Sequence, residues 1–333
     1  MASLLYGQRL LMKSKSVAMV WSRIAAIVFI GAFSFGSVKA QTSSTFPTKP
    51  IKVIVPFPPG GGADTLIRLM TPSLTDLWRQ SLVIENRPGA SGAIGAELVA
   101  QSAPDGYTLL MGSTAAVTDK NVTQFAPVAL VSASPYIVTV NPALNIRSIT
   151  GLIAYAKANP GKVRFGSSGA GSASHLAGEL FASMAGIDLL HIPYKGTGQA
   201  LTDLLAGHID LMFAPAQTVM PQIETGKLLA LAQTGAKRSE ALPTISTVSE
   251  SGLPGYSAVG WFGLFAPAAT PRTTVQKLNR GVATTLAQDK VKMAMLERGS
   301  DPAGGSADDF ANFLRADQAK WTKLIKENRI AVQ

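Results

Sequence analysis

Short β-branched runs alternate along the chain with stretches of helical periodicity. Ile51-Lys52-Val53-Ile54-Val55, bounded by prolines, has the near-continuous apolar character of a buried parallel strand. It runs into Pro56-Phe57-Pro58-Pro59-Gly60-Gly61-Gly62-Ala63-Asp64, after which Leu66, Ile67, Leu69, Met70 and Leu74 recur at the spacing of one helix face. The same order of strand, loop and helix returns with a strand over 82–85, a loop over 87–92 and a helix over 93–101. A strand over 107–111 then ends at Gly112-Ser113-Thr114. Alternation of this kind, with short connections, predicts a doubly wound parallel sheet whose ligands sit beyond the carboxyl ends of its strands.

Two extended runs, 127–132 and 136–141, interrupt the alternation. Ser148 then caps a helix that ends at Asn159-Pro160-Gly161. We read this as a crossing into a second lobe, which repeats the scheme: strand 163–165, loop 166–174, helix 176–185, strand 189–192, loop 193–198, helix 199–206, strand 209–213, and a further helix and strand over about 219–233. The apolar segment 261–267 reads as the return crossing. A final helix opens at Ser306 with Asp309 three residues on, a capping box with a shorter acid, and its apolar positions Phe310, Phe313, Leu314, Trp321, Leu324 and Ile325 are expected to pack back on the first lobe. The resulting division is 46–138 plus 260–333 for lobe 1 and 139–259 for lobe 2.

The first 40 residues stand apart. Arg9, Lys13, Lys15 and Arg23 precede an apolar run from Ile24 to Phe35, and Val38-Lys39-Ala40 offers a small-residue exit before Gln41. This is the pattern of a cleaved signal peptide, and the run is too short for a spanning helix of roughly 20 residues. A retained anchor is the alternative, and Met12 is a second possible start. The leader holds five basic residues and no acid, so its removal lowers the net charge from +10 to +5. No run of basic residues interleaved with aromatics remains, so nucleic acid is not an expected partner. The sequence contains no cysteine, which excludes disulfides, thiolate catalysis and lipid attachment through Cys.

Two loops carry the chemistry. Three consecutive glycines, Gly60 to Gly62, let a backbone approach a ligand closely, and the helix start behind them presents unpaired N–H groups to an anion. A plain turn is the competing reading. No Gly-Lys-Ser/Thr follows, so the loop is not a nucleotide-phosphate loop. Its counterpart, Gly166-Ser167-Ser168-Gly169-Ala170-Gly171-Ser172-Ala173-Ser174-His175, offers hydroxyls and backbone donors between a strand and a helix, or else is a capped connector. His175 and Glu179 could share a helix face as a metal pair, but no third ligand has supporting spacing. His191 reads as a satisfied core histidine and His208 as a surface residue. No Gly-x-Ser-x-Gly elbow or paired catalytic carboxylates support a hydrolase.

The segments "PIKVIVPFPPGGGAD" (50–64), "VIENRPGASGAIGAELVAQSAPDGYTLLMGS" (83–113), "AYAKANPGKVRFGSSGAGSASHLAGELF" (154–181), "HIPYKGTGQALTDLLAGHIDLMF" (191–213) and "AKRSEALPTISTVSESGLPGY" (236–256) span most of the chain beyond the leader. In them the sequence resembles the extracytoplasmic substrate receptors of tripartite tricarboxylate transporters, the Bug receptors. The resemblance implies an α/β, two-lobed type II periplasmic binding-protein fold, each lobe a doubly wound, mostly parallel sheet with helices on both faces. It implies a periplasmic, non-enzymatic, monomeric receptor that needs no cofactor or metal, captures a small organic carboxylate and passes it to membrane subunits of such a transporter. A sensing or orphan binding protein is the alternative, with a hydrolase the more remote one. Matched to the family motifs, the ligand contacts would be Phe57, Gly60, Gly61, Gly62, Asp64, Ser113 and Thr114 in the first lobe and Ser167, Ser168, Gly171, Ser172, His175 and Tyr194 in the second; Asp64 could instead only cap its helix. The chain departs from the family pattern in the short 115–125 segment, which lacks aromatics before Phe125, and at Ala214, both expected to border the cleft.

Overall fold

The computed structural model describes Phe46 to Asn328 and Ile330. The leader, with its expected cleavage site, lies outside the described residues.

Ten strands form one continuous, mixed sheet in the order β2-β1-β3-β9-β4-β7-β5-β6, with β10 and β8 also pairing with β4. β1 (Ile51–Val55) lies parallel to both β2 (Leu82–Asn86) and β3 (Thr108–Ser113). The intervening helices are α1 (Gly62–Trp78) and α2 (Ala93–Ala100). These are the strand, loop and helix units expected from the periodicity. The second parallel set is β6 (Leu190–Pro193), β5 (Arg164–Ser167) and β7 (Leu211–Pro215), connected through α4 (Ala173–Ala185) and α5 (Thr197–Ala206). α3 (Ile149–Ala158) precedes this set, opened by Ser148, whose Oγ accepts from the Gly151 N–H at 3.0 Å.

Two long strands join the parallel sets. The runs 127–132 and 136–141 are one strand, β4 (Phe125–Val140), antiparallel to β9 (Val259–Pro267) up to Pro135 and antiparallel to β7 from Tyr136 onward. The break between the two runs that composition suggests is bridged by tertiary contacts. The Ala133 N–H donates to the Asp301 carbonyl, and the Asp301 N–H donates to Ser134 Oγ at 2.9 Å. β10 (Pro302–Gly304) and β8 (Leu229–Gln233) pair with opposite ends of β4. The antiparallel pairings are thus confined to the strands that link the sets.

Four apolar clusters fill the two faces of each half-sheet. In the first half, Ile51, Val53, Leu66, Ile67, Met70 and Leu278 pack on one face and Ile54, Leu110, Phe265, Phe310 and Leu314 on the other. In the second half, Val138, Phe165, Phe181, Phe213 and Tyr256 are separated by the sheet from Ile137, Ala200, Leu204, Met212 and Ala214. Two helices after β9, α7 (Arg272–Leu286) and α8 (Asp289–Leu296), complete the first half, α6 (Ala216–Glu224) lies in the second, and α9 (Ala307–Asn328) closes the fold. The capping box opening α9 is reciprocal: the Asp309 N–H donates to Ser306 Oγ at 3.1 Å and the Ser306 N–H to Asp309 Oδ2 at 2.9 Å. Only the beginning of α9 packs on the first half-sheet, because Trp321 and Leu324 enter the core of the second.

Candidate functional site

The loop after β1 is shaped by one carboxylate. Asp64, 3% exposed, accepts from the Gly60 N–H at 3.0 Å, Arg68 Nε at 2.9 Å and Asn86 Nδ2 at 3.0 Å. Burial works against its charge, but the Arg68, Gly60 and Asn86 bonds outweigh burial and hold its pKa below the ordinary carboxylate value. Three donors and the Arg68 charge hold this carboxylate, so Asp64 shapes the loop; ionised, it has no proton to donate to an anion. Asn86 also donates to the Phe57 carbonyl at 3.1 Å, tying β2 to the loop, while the Phe57 ring packs on the first core. Gly60 has φ of 81°, a left-handed conformation that glycine adopts without strain. Gly61 is the N-cap of α1, and the Gly62, Ala63 and Asp64 amides find no acceptor among the described residues. At the end of β3, the Ser113 and Thr114 hydroxyls likewise make no hydrogen bond to a described residue, and Ser113 pairs in register with Phe262 of β9.

The loop after β5 is a knot of serines. Ser174, 5% exposed, accepts from the Ser168 N–H at 3.1 Å, and its Oγ lies 3.2 Å from Ser168 Oγ and 3.1 Å from Ser172 Oγ. Ser172 caps α4 by accepting from the His175 N–H. Gly171, at φ 76°, donates its N–H to His175 Nδ1 at 3.0 Å, which leaves the imidazole proton on Nε2, facing Glu179 Oε1 at 3.4 Å. The His175 ring stacks on that of His191 at 3.7 Å with a 13° interplanar angle, and Phe165 continues the stack at 4.8 Å from His191. Burial first, and the neighbouring His175 second, pull the His191 pKa down to about 4. The Ala170, Ala173 and Ser174 amides have no acceptor among the described residues.

The expected contacts therefore divide by what their polar groups already do. Gly60, Gly61 and Gly62 form the first loop, Ser113 and Thr114 lie at a strand end with free hydroxyls, and Ser168, Gly171 and Ser172 line the second loop. Ser167 is fully buried, its Oγ 2.6 Å from His191 Nε2 and bonded to Gly169 as well, so it braces the loop from beneath. His175, 3% exposed, does the same. The Tyr194 hydroxyl is given to Asp203 Oδ2 at 2.6 Å, and burial followed by that bond pushes its pKa up to about 12. Ala214 is wholly buried in the second half's core, so its side chain is not exposed to solvent. His208 is exposed as expected; His191 is satisfied by Ser167 but only half-buried, because β6 is the last strand of the sheet order, not a core strand. Among the described residues no three His, Cys, Asp or Glu groups converge to hold a metal, so His175 and Glu179 remain a pair.

Sequence reasoning passed over Asn86, Ser174, Phe262 and Gln217. Ser174 had a local signal, two residues past the Ser172 cap. The other three reach the site from strands and helices distant in the chain. A Cβ on Gly62 would stand 3.0 Å from Phe262 Cζ and 3.3 Å from Gln217 Nε2, so β9 and the start of α6 both close on the first loop.

Apart from the internally paired Asp64 with Arg68 and His175 with Glu179, the groups offered are neutral: backbone amides, hydroxyls and one carboxamide that approaches Gly62 beside an aromatic ring. Groups of this kind can hold an anion by their dipoles, with no bond made or broken. No helix among the described residues is long and apolar enough to cross a membrane.

Residues 66–330 match the family described as "Tripartite tricarboxylate transporter family receptor". Protein BugT of Bordetella pertussis is 34% identical over 317 residues, covering 92% of this chain and 97% of its own. A solved R. palustris structure with adipate superposes with a TM-score of 0.79 at 36% identity, covering 86% of this chain and all of that one. MatC from Rhodopseudomonas palustris with bound malate gives a TM-score of 0.73 at 29% identity, covering 84% of this chain and all of MatC. These relatives are two-lobed solute-binding receptors, not enzymes, which removes the hydrolase alternative. The chain belongs to the tripartite tricarboxylate transporter receptor family, the Bug-type periplasmic solute-binding proteins.

Proposed function

We propose that this chain captures a small organic carboxylate between two lobes, 46–138 plus 260–333 and 139–259, and delivers it to the membrane subunits of a tripartite tricarboxylate-type transporter. The carrying observation is the pair of strand-to-helix loops, Gly60–Asp64 and Gly166–His175, each with amides that lack an internal acceptor at a helix start. The positive end of each helix favours negative charge, and no fixed cation is needed. The adipate and malate held by the two relatives support the same ligand class. Secretion with cleavage near Ala40/Gln41 completes the reading.

Mass spectrometry of what copurifies with periplasmic protein, followed by a thermal-shift screen of dicarboxylates, tricarboxylates, amino acids, aromatic acids and nicotinate-like acids, tests it. A carboxylate that raises the melting temperature in a concentration-dependent way is the expected result. Stabilisation by non-anionic solutes alone would overturn it.

A further inference from the structure

Gln217 is the second residue of α6, immediately beyond the carboxyl end of β7. The start of that helix is held by backbone packing across the molecule. A Cβ on Gly299 would lie only 2.7 Å from the Ala216 Cβ and 3.4 Å from the Gln217 nitrogen, so the glycine is what lets α6 seat there. From this seat the Gln217 side chain reaches the first glycine loop. Its Nε2 is 3.3 Å from the Cβ position of Gly62, beside Phe262 Cζ at 3.0 Å from the same point. The side chain is exposed, and its carboxamide makes no hydrogen bond to any described residue.

That point lies at the start of α1, where the Gly62, Ala63 and Asp64 amides are unpartnered, and against the ring of Phe262, whose register partner Ser113 has a free hydroxyl. All the polar groups are neutral, because Asp64 is consumed by Arg68, Gly60 and Asn86. We propose that Gln217 is a specificity-determining residue: from the opposite half of the molecule its carboxamide donates to the ligand carboxylate held on the first glycine loop, and so selects an anionic end group there. This rests on the carboxylate-receptor reading. A glutamine can donate to a carboxylate without its own charge being paid for by desolvation. A carboxylate at the same position would repel the ligand anion and attract an ammonium group instead.

The test uses the mature chain with succinate, adipate and malate as anionic probes, and with 4-aminobutanoate and 6-aminohexanoate as counterparts carrying an amine at one end. Calorimetry on the wild type, Gln217→Glu and Gln217→Leu, with circular dichroism as a folding control, reads the affinities. Gln217→Leu is expected to weaken the dicarboxylates about five- to thirtyfold, as for one hydrogen bond to a charged group. Gln217→Glu should move the preference between dicarboxylate and amino acid by tenfold or more toward the amine, roughly the effect of one charge pair near a surface. Wild-type binding of a dicarboxylate with that preference unmoved in Gln217→Glu overturns the role of Gln217 alone. Failure of the wild type to bind any of the three anions, or any acid of the wider screen, overturns the carboxylate reading, and this role with it.

Discussion

His191, behind the second loop, carries a pH dependence of stability. His191 is held at a pKa of about 4 against an ordinary 6.5, so the unfolded chain takes up its proton first as the pH falls. The stability tied to the neutral ring is therefore complete above about pH 6.5 and is lost progressively toward pH 4, the direction required when the unfolded state binds more protons. Allowing for the partial exposure of the ring, the loss is about 2 kcal/mol. Urea unfolding at about pH 7.5 and about pH 4.5 checks this, with His191→Gln losing most of that slope; an unchanged slope would place the acid sensitivity elsewhere. In the sequence His191 is one polar residue in an apolar strand. That it stacks face to face with His175 follows from β6 lying beside β5, on which α4 packs, and no spacing between positions 175 and 191 announces it.

The last helix is the element whose role differs most from its pattern. Asp317, 7% exposed, accepts from the indole N–H of Trp261 in β9 and from that of Trp321 in its own helix, each at 2.9 Å, and lies 3.6 Å from Lys320 Nζ. Lys320 in turn covers the Trp321 ring at 4.0 Å and donates to the Ser257 carbonyl. A single carboxylate thus fastens α9 to the strand that links the half-sheets. Asp317→Ala would strand two buried indole donors and a partly desolvated ammonium, at a cost of about 3 kcal/mol. Chemical denaturation followed by tryptophan fluorescence measures it, and a loss below about 1 kcal/mol would mean that water replaces the carboxylate. Helical periodicity correctly marked α9 and its capping box. It could not say that Phe310 and Leu314 serve one core while Trp321 and Leu324 serve another, since one continuous stripe fits both.

At the scale of the molecule, the two half-sheets are joined through β4 and β9, and the receptor reading predicts that they close as bodies about those strands when ligand binds. A saturating concentration of whichever carboxylate the thermal-shift screen identifies should shrink the radius of gyration in small-angle scattering, and Gly61→Val should abolish both the compaction and the binding. The fold should survive that change, because the Gly61 backbone is extended and a Cβ there would stand 3.4 Å from its nearest neighbour, the Pro58 carbonyl. Identical curves with and without ligand, in a wild type that binds it, would refute closure. Residues that are neighbours along the chain are enough to define the strand, loop and helix units, the two glycine loops and the caps at Ser148 and Ser306, whereas the choice of Ser172 over Ser174 as the cap of α4 needed the fold. Tertiary structure alone decided that two extended runs become one strand, that Ala214 faces a core, that Asp64, Ser167 and Tyr194 spend their polar groups internally, and that Gln217 arrives at Gly62. Those outcomes depend on which of several competing partners a group meets, and the partners come from strands and helices that only folding brings together.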